Sequence, residues 1–84
     1  MIQILYFASL REKLGQDKES LEISGQISTV EELKEHLAQR QGQWTESFLN
    51  SHSLLVSVNQ NMANDSTEIR DGDEVAFFPP VTGG

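Results

Sequence analysis

The sequence predicts an α+β domain in which one main helix packs on a mixed β-sheet. Residues at both ends of the chain show the period-two pattern of β-strands, and one central stretch repeats its apolar residues at helical spacing. The chain has 84 residues, which is enough for one hydrophobic core. We therefore predict a single domain over residues 1–84, with residues 80–84 as a projecting C-terminal tail.

The first and last strands are predicted to lie in the middle of the sheet. Residues 2–7 alternate with period two and are largely apolar on both faces, which is typical of a central strand. Residues 74–78 form the last strand, which the prolines at 79 and 80 end because neither can donate a ladder hydrogen bond. If the last strand pairs in parallel with the first, the fold is a roll of the ubiquitin type.

Shorter elements are expected between these two strands. They are a helical turn at 10–14 ended by Gly15, a strand at 18–23, the main helix at 30–41 ended by Gly42, a short helical segment at 44–49, and a strand at 54–58. Ser28 and Glu31 predict a capping box at the start of the main helix. Turns at 59–61 and 71–73 lead into the remaining extended segments.

Composition excludes several functions. The net charge of −7 argues against binding to nucleic acid or to anionic membranes, both of which require a basic surface. The apolar start of the chain lacks a basic segment and is too short to span a bilayer. Because cysteine is absent, there is no disulfide scaffold, thiolate nucleophile or cysteine-type zinc site. These features favour a cytoplasmic protein.

The folded body shows no recognisable catalytic or metal centre. His36 and His52 are sixteen residues apart and lack the spacing of metal ligands. The glycines form no phosphate-binding motif, and caps, turns and a solvated helix face account for most carboxylates. We therefore expect no bound cofactor and no bound metal.

The tail carries the remaining candidate chemistry. Gly83 and Gly84 lack a Cβ, so their backbone can enter a slot that is too narrow for other residues. The Gly84 carboxylate becomes a good electrophile once it is adenylated with ATP. Attack by sulfide or persulfide would then leave a thiocarboxylate, which can deliver sulfur without a cysteine. The competing interpretation is that a terminal Gly-Gly is a frayed end without function.

Two segments carry a resemblance to a known family. Residues 4–12 (ILYFASLRE) and 71–84 (DGDEVAFFPPVTGG), with residues 29–33 (TVEEL) at the helix start, resemble the molybdopterin synthase small subunits, which are sulfur carriers of molybdenum cofactor biosynthesis. The resemblance implies a ubiquitin-like β-grasp fold. It also implies that an ATP-dependent activating enzyme related to ubiquitin activators adenylates Gly84, which then becomes a thiocarboxylate.

The resemblance further implies a partner and an acceptor. The tail would insert into the large catalytic subunit and transfer sulfur to cyclic pyranopterin monophosphate, with two transfers for each dithiolene. The expected assembly is a heterotetramer in which this chain is the non-catalytic, sulfur-donating subunit. Three alternatives stay open: a sulfur carrier for thiamine or tRNA thiolation, a ubiquitin-like modifier joined to lysines, and a binding module with an idle tail.

A docking surface is predicted on the sheet. Phe7 and Phe78 should lie on the face opposite the helix, because their neighbours Tyr6 and Phe77 have the other parity. Met62 is a plausible third member because its flexible thioether adapts to a partner. The alternative is that these residues fill the core. The docking region also includes the tail residues Pro79, Pro80, Val81 and Thr82.

Overall fold

The computed structural model describes residues 1–23, 25–49 and 54–79. In chain order, its elements are β1 (Ile2–Tyr6), α1 (Ala8–Leu14), β2 (Lys18–Leu21), α2 (Val30–Ala38), α3 (Gln43–Phe48), β3 (Leu55–Val58), β4 (Asn61–Met62) and β5 (Glu74–Phe78). The strands form one sheet in the order β2-β1-β5-β3-β4. The predicted parallel pairing of the first and last strands is confirmed, and the short edge strand β4 is an addition to the prediction.

The core lies between one face of the sheet and the helices. In β1, Ile2, Ile4 and Tyr6 are buried while Gln3 is exposed, which is the alternation that the sequence predicted. Buried residues from all three helices join the same apolar cluster as these strand residues. The three helices therefore pack on the same face. None of the helices in residues 1–23, 25–49 and 54–79 is long and apolar enough to cross a membrane.

The start of α2 differs from the predicted capping box by one residue. Thr29, not Ser28, is the N-cap, and its hydroxyl accepts a hydrogen bond from the Glu32 backbone N–H at 3.2 Å. The Glu32 carboxylate in turn accepts hydrogen bonds from the backbone N–H and the hydroxyl of Ser28, each at 2.8 Å. Ser28–Glu31 and Thr29–Glu32 have the same spacing, so the motif alone does not fix its register. Thr29 also pairs with Glu68 in an isolated bridge, a long-range contact that no local motif contains.

The end of α2 also differs from the prediction. The helix ends at Ala38, three residues before the predicted end. After it, the backbone N–H groups of Gln39, Arg40 and Gln41 bond to carbonyls three residues earlier, and Gln41 and Gly42 have φ angles of 72° and 62°. Gly42 is the N-cap of α3, not the end of α2. By contrast, Gly15 ends α1 in the left-handed conformation, as predicted. The strand β2 ends two residues earlier than predicted, and β3 begins one residue later.

Candidate docking face and attachment of the tail

The open face of the sheet is the face opposite the three helices. Strand pairing and alternation assign to it Gln3, Leu5, Phe7, Lys18, Ser20, Leu55, Ser57, Met62, Glu74, Ala76 and Phe78. Directly paired residues on neighbouring strands point to the same face. The register therefore aligns Leu5, Ala76, Ser57 and Met62 in one row across four strands.

Phe7 and Phe78 lie together at one end of the open face. Phe7 continues the ladder past β1, because its backbone N–H donates to the carbonyl of Phe77 at 3.1 Å. The rings of Phe7 and Phe78 meet edge to face, with centroids 6.4 Å apart. The predicted positions of both side chains on the face away from the helices are thus found in the structure. Their role in docking stays a prediction.

The open face exposes apolar surface to solvent. Phe7 is 46% exposed and Met62 is 65% exposed, while Phe78 is half-buried. Among the described residues, the other large exposed hydrophobic side chains are Met1 and Leu49. Apolar side chains gathered on one sheet face are a feature of protein interaction sites. The open face is therefore the candidate docking surface.

The tail is attached at the Phe78 end of the open face. Strand β5 ends at Phe78, and half-buried Pro79 follows it directly. The other predicted tail residues, Pro80, Val81, Thr82, Gly83 and Gly84, lie outside the described residues. Because Pro79 follows the central strand beside Phe7, the tail is joined to the body next to the pair formed by exposed Phe7 and half-buried Phe78.

A polar cluster at the edge of the core was missed by the sequence analysis. The Tyr6 hydroxyl donates to the Glu19 carboxylate at 2.6 Å, and Arg40 donates two hydrogen bonds to the same carboxylate at 2.7 and 3.0 Å. The Arg40 guanidinium also lies over the ring of Trp44, 4.4 Å from its centroid. These partners are 13 and 21 residues apart in sequence, so no local pattern could have revealed them.

The ionisation of this cluster indicates a structural role. Burial raises the pKa of the Tyr6 phenol, and its hydrogen bond to Glu19 raises that pKa further. Burial also acts to raise the pKa of Glu19, but hydrogen bonds from Arg40 and Tyr6 outweigh it and lower this pKa. At neutral pH the tyrosine stays protonated and the carboxylate stays charged. With these charges, the Glu19 carboxylate accepts the hydrogen bonds of Tyr6 and Arg40, and the cluster links β1 and β2 to the segment after α2.

The rest of the described body offers no metal centre. His36 is exposed on α2, and His52 lies outside the described residues. Within residues 1–23, 25–49 and 54–79, no group of three or more histidine, aspartate or glutamate side chains could hold a metal ion.

The strand order, the parallel central pair and the covering helix define the ubiquitin-like β-grasp class. SAMP1 from Haloferax volcanii has the same fold, with a TM-score of 0.79 and 25% identity over 99% of this chain and 98% of that chain. A protein–protein complex of subunits 1 and 2 of the molybdopterin-converting factor from Helicobacter pylori contains a similar chain. Its TM-score is 0.66 over 99% of this chain and 97% of that chain, and its 21% identity shows the fold alone.

The sequence comparisons identify the family. The model of the ThiS family matches residues 4–84, and the chain belongs to this family. It is 44% identical over 84 residues to the molybdopterin synthase sulfur carrier subunit of Escherichia coli strain K12, with both chains covered in full. It is 40% identical to the subunit of the same name from Haemophilus influenzae, again over the whole of both chains.

Proposed function

We propose that this protein is the sulfur carrier subunit of a molybdopterin synthase. The observation that carries the proposal is the 44% identity, over the full length of both chains, to a relative with that name. The β-grasp fold and the Gly-Gly that ends the sequence fit the same role. The chain itself binds no cofactor in this proposal and acts as the non-catalytic subunit of a cytoplasmic complex.

The reactive group is the carboxylate of Gly84. An activating enzyme related to ubiquitin activators joins this carboxylate to the AMP moiety of ATP and releases pyrophosphate. Sulfide then attacks the acyl carbon, and AMP leaves with one of the former carboxylate oxygens. If the sulfur arrives as a persulfide, the first product is an acyl disulfide, and a second thiol of the donor cleaves its S–S bond and becomes part of a disulfide. The product is a thiocarboxylate, in which one oxygen of Gly84 has been replaced by sulfur.

The large subunit consumes this sulfur. The tail enters its active site, and the thiocarboxylate sulfur is transferred to cyclic pyranopterin monophosphate. Two such transfers build the dithiolene, and in each of them water cleaves the bond between the Gly84 acyl carbon and the transferred sulfur, which returns Gly84 to a carboxylate. The side chains that bind and activate the pterin belong to the large subunit, and the expected assembly is a heterotetramer.

The folded body binds the large subunit in this proposal, and the tail spans the distance from that surface to the active site. The open face, with Phe7, Met62 and Phe78, is proposed to bind the large subunit. Residues 79–84 extend roughly 20 Å at ~3.3 Å per residue, enough to carry Gly84 away from that surface into a cleft. Gly83 allows the backbone to pass where a side chain would clash. Docking on one surface therefore positions a reactive group that lies some distance away.

The central experiment measures sulfur on the tail. The purified chain is incubated with the activating enzyme, ATP and a sulfur donor, and intact mass is followed for the replacement of one oxygen by sulfur. Variants that lack residues 83–84, or that carry one extra residue after Gly84, should melt like the parent, because surface changes typically alter stability within ~0.5 kcal/mol. They should give no product with the large subunit.

The variant with one extra residue is the more specific test of the tail mechanism, because it keeps both glycines and changes only the position of the terminal carboxylate. It moves the terminal carboxylate by roughly 3.5 Å, and misplacement by ~1 Å can already cost about a hundredfold in rate. Gly83→Ala tests the narrow passage separately. If the extended protein, with its added residue still attached, formed product at the normal rate, the tail mechanism would be wrong.

The choice of acceptor separates this function from its alternatives. Reconstitution with cyclic pyranopterin monophosphate should yield the dithiolene, whereas a carrier for thiamine or tRNA thiolation would support only its own product. Isopeptide-linked adducts in cell extract would instead favour a protein modifier.

A further inference from the structure

We propose that Met62 is a redox-modification site, and that oxidation of its thioether to the sulfoxide weakens docking to the large subunit. The inference rests on the proposed function, because it takes the open face as the docking surface. It adds that the affinity of this surface for the large subunit depends on the oxidation state of one sulfur atom, that of Met62.

Methionine is the only sulfur-containing residue type in this sequence. The sequence has two methionines and no cysteine, so no thiol competes with the thioethers for a hydroperoxide. Met1 and Met62 are 63% and 65% exposed, which makes both accessible to a small oxidant. Exposure therefore does not distinguish the two residues, and their positions decide the consequence.

Met62 lies on the open face, and Met1 lies at the far end of β1 from Phe7. Met62 pairs with Ser57, which pairs with Ala76, so its side chain belongs to the row that crosses the centre of the sheet. The Met1 amino group instead pairs with the Asp71 carboxylate, and its carbonyl accepts a hydrogen bond from the Gly72 N–H at 2.8 Å. Because Met1 is as exposed as Met62 but lies elsewhere, oxidation of Met1 serves as an internal control for oxidation of Met62.

The modification itself is a two-electron oxidation by a hydroperoxide. The thioether sulfur attacks the terminal peroxide oxygen, the O–O bond breaks, and an S–O bond forms. Water leaves when the oxidant is hydrogen peroxide, and an alcohol leaves when it is an organic hydroperoxide. The flexible apolar side chain becomes a polar sulfoxide, a change that disrupts methionine-containing interfaces.

Docking requires that the Met62 side chain be removed from water. A polar group buried without a hydrogen-bond partner carries a desolvation penalty that corresponds to roughly tenfold weaker binding. The free chain exposes Met62, whereas the complex would shield it. Oxidation therefore acts on the undocked carrier, and a bound large subunit should slow the oxidation of Met62 but not of Met1.

The test uses the full chain without sulfur on Gly84, because a thiocarboxylate would itself react with peroxide. The chain is treated with hydrogen peroxide, the oxidised residues are located by peptide mass mapping, and affinity for the large subunit is measured before and after treatment. We expect roughly tenfold weaker binding after oxidation, an unchanged melting temperature, and recovery after treatment with methionine sulfoxide reductases. The Met62→Leu variant retains Met1 and should bind equally well before and after peroxide.

Three results would overturn the inference. They are unchanged affinity of chain that is oxidised at Met62, an equal loss of affinity in peroxide-treated Met62→Leu, and a loss that coincides with unfolding. Failure of the proposed function is recognised separately, because the unoxidised chain would then not bind the large subunit at all. Binding that survives oxidation contradicts only the role of Met62.

Discussion

Replacing Arg40 with alanine should destabilise the fold by about 2–4 kcal/mol, if its two hydrogen bonds to the Glu19 carboxylate are counted as one charge-assisted interaction. The substitution removes two hydrogen bonds to the Glu19 carboxylate, at 2.7 and 3.0 Å, and hydrogen bonds to charged groups typically contribute about 1.5–3 kcal/mol. It also removes the contact with the Trp44 ring at 4.4 Å, which adds about 0.5–1 kcal/mol. The Glu19 side chain is only 16% exposed, so water replaces the lost partner incompletely.

The assay is urea unfolding, with melting temperature as a second readout. For a domain of this size, 2 kcal/mol corresponds to a decrease of roughly 8–16 °C. Arg40→Lys should lie between the parent and Arg40→Ala, since lysine keeps the charge but loses the paired geometry and the planar stacking. A double-mutant cycle with Glu19→Gln isolates the pairwise energy.

The matched control is the exposed pair of Arg70 and Glu68. Its nitrogen and oxygen are 3.6 Å apart, and the two side chains are 82% and 73% exposed. Arg70→Ala should therefore change stability by less than ~1 kcal/mol. If Arg40→Ala lowered the free energy of unfolding no more than Arg70→Ala does, the cluster would not stabilise the fold as argued.

Five substitutions test three further features: the turn at Asn59 and Gln60, the acid limb of the stability curve, and the docking surface. Asn59 and Gln60 form a two-residue hairpin turn with φ angles of 51° and 70°, so Gln60→Gly should stabilise the fold by about 0.5–1 kcal/mol in thermal melts. Asn59→Gly should destabilise it, because the Asn59 amide donates to the Asp73 carboxylate and accepts from the backbone N–H of Glu74, the first residue of β5. Since the pKa of Glu19 is lowered in the folded state, its contribution to stability is present above its unfolded pKa and is lost as pH falls through the folded pKa. Glu19→Gln should accordingly flatten the acid limb of unfolding free energy against pH, and an unchanged slope would contradict this. Phe7→Asp should stay folded, because aspartate is a favourable N-cap for α1, yet it should lose the large subunit in a binding assay. Leu49→Asp, at an exposed position outside the open face, should bind normally.

Local patterns predicted the elements well because strand alternation, helical spacing and the backbone preference of glycine depend on residues that are close in sequence. The alternation in β1 and β5 predicted both strands and the face of the sheet on which each residue lies, because successive side chains along a strand point to opposite faces. Gly15 gave the end of α1 because its left-handed conformation favours glycine. The end of α2 was missed because the chain leaves the helix through a turn at residues 39 and 40 and then through Gln41, a residue with no preference for the positive φ that it takes.

Long-range contacts explain the remaining differences. Thr29, the N-cap of α2, also pairs with Glu68 in an isolated bridge. The cluster of Tyr6, Glu19 and Arg40 joins two strands to the segment after α2. Neither relation has a signature in neighbouring residues. The candidate tail was found from sequence because its chemistry depends on residue type and order, whereas the row through Met62 required the strand register.

Adjacent phenylalanines in β5 show how alternation along the strand separates the core from the candidate docking surface. Phe77 is fully buried and meets the rings of Phe48 and Tyr6, with centroids 5.0 and 6.4 Å away. Phe78 points to the other face, is half-buried, and meets only Phe7 among the described aromatic contacts. A charge at Phe78 would thus disturb both the sheet and the open face. The more exposed Phe7 lies on the same face and is the cleaner position at which to test docking without disturbing the core.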